Sequence, residues 1–370
     1  MSMSVRVLAA VVLACLLPLS PLYAQGIPRV RAAVQAQAGW DAIRDGRHQE
    51  AADAFASAIA AQPRDPSLYF GAGVAAFLMG QVSTAQQSLE HALSLAPQLT
   101  SASLLLGDIL YRNNDLVAAA DVYQKALKYA PEDKVLAARL ERTGRESDVQ
   151  SGFFQSQGAH FTVLFEGPAD EELARKALEV LEAAYWRVGT ELLTFPDRII
   201  PVVLYTEQQF RDITRSPNWA AAVYDGRIRV PMRGALTDPA ELDRVLTHEF
   251  THALVQSLAP RGVPTWLNEG LAVMFEPGGQ PWATAQLSSG TYRVPQGQLV
   301  GGFDGLTGDQ ARMAYAQSAE TVRAMIEQAG ALAVVALVQD IGRGDTIEVA
   351  FERRMSTSYN SFTASLDPAR

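Results

Sequence analysis

Cysteine is almost absent from this sequence: Cys15 is the single example in 370 residues. It lies in an apolar run, Val7–Leu19, that follows Arg6 and precedes the small residue Ala24. This order of features predicts a cleavable secretory signal over residues 1–24. Without that segment the chain has no cysteine, so disulfides could not stabilise it in an oxidising compartment. We expect a periplasmic or secreted protein; a lipid anchor at Cys15 is the alternative, but the apolar run continues past it.

Clusters of basic residues and later apolar runs are missing as well. Beyond the signal, no segment reaches the roughly 20 apolar residues of a membrane helix, so no membrane span is expected. The chain has 31 basic and 40 acidic residues, a formal net charge of −9, and no run of five basic residues. This charge pattern argues against nucleic acid as a partner. The hydrophobic fraction of 48% is sufficient for two domains with cores of their own.

Histidine is also scarce, with five examples, yet two of them stand four residues apart in His248-Glu249-Phe250-Thr251-His252. Residues at this spacing share one face of a helix. Two imidazoles placed in this way can bind one divalent metal ion, while Glu249 can reach a water molecule on that ion. The motif therefore predicts a zinc hydrolase site.

The residues around this motif predict a helix that begins near Asp238 and ends before Pro260. Asp238 supplies an N-cap carboxylate, Pro239 the first helical residue and Glu241 the acid of a capping box. An apolar stripe repeats at helical spacing on a face that the histidines do not share: Leu246, Phe250, Ala253, Leu254 and Leu258. The two histidines are therefore not expected in the core.

A catalytic zinc ion takes three protein ligands and keeps one position for water, so a third ligand is needed. No histidine follows His252, and the cysteine lies far upstream, so we expect a carboxylate. Glu269 is preferred because it lies 17 residues after His252 (269 − 252 = 17), on a second predicted helix that follows Pro264. Three downstream acids are weaker candidates: Glu276, Asp304 and Asp309.

The segments 248–254 (HEFTHAL) and 266–273 (WLNEGLAV) resemble the gluzincin metallopeptidases, in particular the peptidase MA-like domains found beside tetratricopeptide repeats. The resemblance implies a zincin-like, thermolysin-like α+β catalytic domain over residues 159–370. It also implies one Zn²⁺ per chain, with Glu249 as the general base. The implied zinc ligands are His248, His252 and Glu269.

Two features of such a site stay open at this point. Thermolysin-like enzymes carry an aspartate where this chain has Val273, so the residue that orients His248 is not identified. The oxyanion donor of aminopeptidase relatives is a tyrosine, and Tyr315 resembles that position best, although it also shares an apolar helical face and could be a core aromatic. Tyr224 is the other candidate, whereas His160 is expected to be an ordinary sheet residue.

An internal repeat of 34 residues precedes this region. Five repeat positions, called columns below, hold similar residues at intervals of 34: Gly39, Gly73 and Gly107; Ala51, Ala85 and Ala119; Phe55, Leu89 and Tyr123; Ala58, Ala92 and Ala126; Pro63, Pro97 and Pro131. The period resembles the tetratricopeptide repeat and predicts an all-α solenoid over residues 30–142, with three units and a capping helix from Lys134 to Arg142. Such a solenoid offers a concave surface to a protein partner; the alternative is a spacer without a ligand.

Residues 143–158 are polar and predict a linker, which implies that the zinc domain can fold alone. The following strands and helix are predicted at 161–166, 170–193 and 199–205, with a hairpin at 221–230. By resemblance, 225–232 is the edge strand that receives substrate, and a glycine-rich loop spans 278–308.

These observations favour a secreted or periplasmic zinc peptidase whose repeats bind protein. Endopeptidase action is expected because the Gly-x-Met-Glu-Asn motif of the aminopeptidases is absent. The alternative is an envelope interaction or scaffold protein whose zinc domain is structural or inactive. The intact Glu249 argues against that alternative, since a structural site has no use for a general base.

Overall fold

The computed structural model describes residues 21–214, 223–231, 238–289, 292–299, 302–303 and 305–365. Cys15, Asp304 and most of the predicted signal lie outside these ranges. Within them, no single helix is long and apolar enough to cross a membrane. The helices Gly308–Ala329 and Ala331–Gly342 would meet that test only as a pair, and they are bent by 114°.

Seven helices form the N-terminal module, which confirms the predicted helical repeats. They are α1 Pro21–Arg44, α2 His48–Ala61, α3 Pro66–Leu78, α4 Val82–Leu95, α5 Thr100–Arg112, α6 Leu116–Leu127 and α7 Lys134–Gln150. The small residues of the 34-residue columns are required by packing: a Cβ on Gly107 would lie 2.3 Å from the ring of Tyr123, which is fully buried. Helices of one unit therefore approach more closely than larger side chains would allow.

The C-terminal domain contains a small mixed sheet covered by helices, in agreement with the predicted α+β class. Its strands are β1 Phe154–Gln157, β2 Phe161–Phe165, β3 Ile200–Tyr205, β4 Val223–Tyr224 and β5 Ile228–Pro231. Its helices are a short 3₁₀ turn Pro168–Asp170, α8 Glu171–Leu192, α9 Glu207–Thr214, α10 Pro239–Leu258, α11 Thr265–Phe275, α12 Gly279–Ser289, α13 Gln296–Leu299, α14 Gly308–Ala329, α15 Ala331–Gly342, α16 Ile347–Met355 and α17 Tyr359–Ser365.

The sheet order is β1-β2-β3-β5-β4. The three central strands are parallel, with Val163 opposite Val202 and Val202 opposite Ile228, and both outer strands are antiparallel to their neighbours. The side chains of Val163, Val202 and Ile228 are fully buried and share one core with residues of α8 and α10. This core fixes α10, which carries the histidine motif, against the sheet.

Three segments differ from the sequence-based predictions. The predicted linker at 143–158 contains the last two turns of α7, which continues to Gln150, and the outer strand β1. The predicted edge strand at 225–232 contains β5, which lies between β3 and β4, so β4 is the outer strand of the described sheet. The predicted loop at 278–308 contains helices α12 and α13.

The turns inside the three repeats all face the C-terminal domain. Gly46, Gly80 and Asn114 are 34 residues apart and have positive φ angles of 75°, 74° and 63°. A Cβ on Gly46 would lie 2.9 Å from Gly344 Cα, and one on Gly80 would lie 3.5 Å from Pro260. The Asn114 side chain accepts a hydrogen bond from Arg227. Each repeat therefore contributes one turn to the contact between the modules.

A buried ionic network joins α7 to β5 across the same contact. Glu146, Arg227 and Arg229 are all completely buried, and both guanidinium groups reach the Glu146 carboxylate. The hydroxyl groups of Tyr111 and Tyr205 donate to the same carboxylate at 2.5 and 2.6 Å. Burial alone would raise the pKa of Glu146, but the two arginines outweigh it and lower the pKa to about 2. The last helix of the repeat module, α7, is thus joined to the sheet by buried ion pairs.

Candidate metal centre

Helix α10 holds the histidine motif and runs over Pro239–Leu258, as predicted. The Asp238 side chain accepts a hydrogen bond from the Ala240 amide at 2.9 Å, and Pro239 occupies the first helical position. Phe250 and Leu254 on the opposite face are fully buried in the core. Packing on that face leaves His248 and His252 on the side that faces α11.

Helix α11 brings Glu269 to this side. Gly270 packs against α14 so closely that a Cβ would lie 2.5 Å from the Ser318 carbonyl oxygen. Trp266 and Leu267 anchor the first turn of α11 in the core. Because Gly270 allows this close helix contact, the neighbouring Glu269 is held towards the two histidines.

The side chains of His248, His252 and Glu269 converge on one point. Glu269 Oε2 lies 3.3 Å from His248 Nε2 and 3.4 Å from His252 Nε2, and one ligand atom from each residue lies within 4.8 Å of the others. Within the described part of the chain, this buried oxygen has no hydrogen-bond partner despite these short contacts. Tetrahedral zinc with bonds of about 2.0–2.1 Å places its ligand atoms roughly 3.3–3.4 Å apart. The three side chains therefore fit a zinc ion.

Glu276 is the partner of His248 that the sequence did not identify. Its Oε2 lies 2.8 Å from His248 Nδ1, the nitrogen that does not face Glu269, and only 7% of Glu276 is exposed. Arg244 contacts the same oxygen at 3.3 Å and is itself held by Glu241. The predicted role of Glu276 as a weaker metal ligand does not match this geometry, because its carboxylate fixes the orientation of the imidazole. Its signal in the sequence is a carboxylate two helical turns after Glu269.

Burial and charge control the protonation of these groups. Burial lowers the pKa of His248, but Glu269 and Glu276 outweigh it and raise the pKa to about 10. Burial raises the pKa of Glu269, but His252 and His248 outweigh it and hold the pKa well below its usual range. Burial is the main cause of a raised pKa at Glu249, whose Oε2 has no hydrogen-bond partner among the described residues. Glu249 therefore has an acceptor atom available beside the converging ligands.

The structure separates the tyrosine candidates. The ring centroid of Tyr315 on α14 lies 6.5 Å from that of His248, and the ring packs edge-to-face on Phe303. The hydroxyl of Tyr224 accepts a hydrogen bond from Arg198 at 3.2 Å. Tyr315 therefore lies beside the converging ligands, whereas Tyr224 is engaged by an arginine.

The remaining candidates have other surroundings. His160 precedes β2, stacks on Tyr185 and lies 2.7 Å from Glu182, which agrees with a structural role in the sheet domain. Asp309 is exposed in the first turn of α14, where it pairs with Arg312. Neither belongs to the group formed by the two histidines and Glu269.

A helix pair whose side chains could hold a metal ion, placed on a small mixed sheet and preceded by helical repeats, is typical of a metallopeptidase-type fold with a repeat module. The chain matches the Peptidase MA superfamily model over residues 197–364 and the tetratricopeptide repeat model over 37–98 and 79–134. It therefore carries a Peptidase MA superfamily domain behind N-terminal tetratricopeptide repeats. Among solved structures it is similar to the first TPR of Spaghetti (RPAP3) bound to HSP90 peptide SRMEEVD, with 21% identity, 32% of this chain and 98% of that chain covered, and a TM-score of 0.31.

Proposed function

We propose that this protein is a zinc-dependent peptidase that binds one Zn²⁺ through His248, His252 and Glu269. The convergence of these three side chains beside Glu249 is the observation that carries the proposal. Three ligands leave a fourth position for water, which distinguishes a catalytic site from a closed structural one. The Peptidase MA superfamily match supports the reaction class.

When bound, the metal would polarise the scissile carbonyl group and acidify a water molecule. Glu249 accepts the proton of that water and delivers it to the leaving amine. The burial that raises the pKa of Glu249 favours this proton uptake. Glu276 holds His248 in one orientation, and Tyr315 supplies a hydroxyl donor to the oxyanion.

We further propose endopeptidase action on protein or peptide substrates in the periplasm or outside the cell. The missing aminopeptidase motif supports internal cleavage, and the N-terminal apolar run with its small-residue boundary supports export. The repeats bind a protein partner or substrate, as solenoids with concave surfaces commonly do. The opposing hypothesis is a scaffold whose zinc domain is inactive.

Replacement of Glu249 by glutamine tests the proposal. Glutamine keeps the size of the side chain but cannot accept the proton, so hydrolysis of casein or of a peptide library should fall by roughly 10²–10⁴. Zinc content and the melting temperature should stay unchanged, because Glu249 is not a ligand. Glu327→Gln, on an exposed part of α14, is the matched control. Unchanged hydrolysis in Glu249→Gln would favour the scaffold hypothesis.

A further inference from the structure

A cleft of about 310 Å³ lies between the repeat module and the zinc domain, separate from the metal ligands. The repeats contribute the first turn of α4 and the end of α5, and the zinc domain contributes the residues before β3 and the end of α10. Both modules thus build the walls. A group bound here would contact the repeats and the peptidase domain at once.

Two arginines from different modules line this cleft: Arg112 at the end of α5 and Arg198 before β3. Arg198 donates to the Tyr224 hydroxyl, and the Arg112 guanidinium lies 5.9 Å from the centre of the Phe77 ring. In the described part of the chain, neither has a carboxylate within ion-pair distance. Two neighbouring arginines in the same interface, Arg142 and Arg229, both pair with Asp225. Among the described residues, the cleft therefore retains two cations without a carboxylate partner.

The other polar groups of the cleft suit an anion. Ser83 and Thr84 line it from the first turn of α4, the positive end of the helix dipole, and the N-cap residue Gln81 makes no side-chain cap there. The side-chain oxygen of Gln256 is buried and has no hydrogen-bond partner among the described residues; as an acceptor it suits an N–H group of a bound peptide rather than its carboxylate. Asp197 also contributes an exposed carboxylate, so the ionisable lining groups sum to 2 − 1 = +1.

The cleft is close to the metal centre. Gln256 follows His252 by one turn on α10, a rise of about 6 Å along the helix axis. Tyr224, which holds Arg198, lies on the outer strand β4 that packs on α10. A peptide extended from the metal centre toward the end of α10 would cover that distance with about two residues.

We propose that this cleft binds a carboxylate of the peptide substrate and thereby selects acidic peptides or peptide C-termini. The proposal rests on the proposed peptidase function for its substrate. Arg112 and Arg198 bind the carboxylate, the first turn of α4 donates further hydrogen bonds to it, and the Gln256 side-chain oxygen accepts from a backbone N–H of the same peptide. Because the walls come from both modules, the repeats contribute directly to substrate selection at this position.

Binding to the inactive Glu249→Gln protein tests this inference without requiring hydrolysis. Three pools of random decapeptides would be used: free C-terminal acids lacking Asp and Glu, the same pool amidated, and an amidated pool containing Glu. Bound peptides would be quantified by mass spectrometry. We expect the free-acid pool or the Glu pool to be enriched about tenfold over the neutral amidated pool, as a charged hydrogen bond provides. Enrichment of the free-acid pool would indicate recognition of a C-terminal carboxylate, and enrichment of the Glu pool would indicate recognition of a side-chain carboxylate.

Variants of the cleft complete the experiment. Arg198→Gln and Arg112→Gln, each added to Glu249→Gln, should abolish the enrichment, whereas Arg112→Lys keeps the charge and should retain part of it. Arg64→Gln, an exposed arginine outside the cleft, is the control and should retain the full enrichment.

Equal binding of all three pools, or enrichment that survives both glutamine variants with normal melting temperatures, would overturn the inference. Stronger competition by inorganic phosphate than by the enriched pool would also overturn it, in favour of a phosphate site. If the protein with intact Glu249 shows no hydrolysis while the enrichment is observed, only the proposed peptidase function is contradicted.

Discussion

The His248 imidazole is held between two carboxylates, with Glu269 at one ring nitrogen and Glu276 at the other. A metal-binding imidazole keeps its orientation and tautomer through the hydrogen bond of its second nitrogen. Arg244 in turn fixes the Glu276 carboxylate. The site is therefore ordered by residues from the start of α10 and the end of α11 as well as by the ligands.

Replacement of Glu276 by glutamine should weaken zinc binding by about 10–100-fold, the usual effect of losing such a partner. Competition with a fluorescent zinc chelator would measure the affinity, and Glu327→Gln is the matched control. An unchanged affinity would show that Glu276 does not order the imidazole.

Tyr315→Phe tests the proposed oxyanion donor. The substitution keeps the ring that packs on Phe303 and removes only the hydroxyl, so kcat should fall by about 10²–10³ while the stability is retained. Steady-state kinetics and a melting curve measure the two properties. Full activity in Tyr315→Phe would show that Tyr315 is only a packing residue. Tyr224 would then be the remaining candidate for the oxyanion donor.

Much of the site follows from the sequence because its spacing is local. A spacing of four positions between His248 and His252 on a helix places them on one face, and the second helix follows after a short turn. Glu276 could not be assigned in this way, because its role depends on which nitrogen of His248 it meets. The roles of the three ligands, Glu249 and Tyr315 stay predictions.

At the level of elements, α7 shows why composition alone predicted a linker. Its residue Glu146 is the partner of two buried arginines, Arg227 just before β5 and Arg229 on β5, which lie 81 and 83 positions away. Polar composition is the same for a solvated segment and for a segment that satisfies buried charges. The periodic repeats and strands β2 and β3 were predictable because their patterns are local, whereas β1 and the pairing of Glu146 were not.

The Glu146 network predicts a pH dependence of stability. The pKa of Glu146 falls from 4.5 to about 2 on folding, so its stabilising contribution is complete above about pH 4.5 and is lost as the pH falls toward 2. Glu146→Gln should destabilise the protein by about 3–5 kcal/mol at pH 7, since buried Arg227 loses its carboxylate partner and Arg229 keeps only Asp225. It should also flatten the loss of stability in acid. Urea titrations from pH 7 to 3 measure both effects, with Glu132→Gln as the exposed control; parallel pH profiles for Glu146→Gln and the parent would contradict the expectation.

At the level of the whole molecule, the contact between the modules changes the expectation that residues 159–370 fold alone. That fragment lacks β1, the outer strand paired with β2, and the anion of Arg227 and Arg229. We expect it to melt at a lower temperature than the full chain and to bind zinc weakly. A fragment of residues 152–370 restores β1 but not α7, and it should remain less stable. Circular dichroism would measure melting; a 152–370 fragment as stable as the full chain would contradict this prediction.

Solenoids usually gain or lose units easily in evolution, because each unit contacts only its neighbours. Here Gly46, Gly80 and Asn114 meet three different parts of the C-terminal domain. An inserted or deleted unit would move at least one turn away from its matching surface. The number of repeat units is therefore constrained by the C-terminal domain that they contact. We expect an additional unit to be tolerated only on the N-terminal side of the first turn, at Gly46.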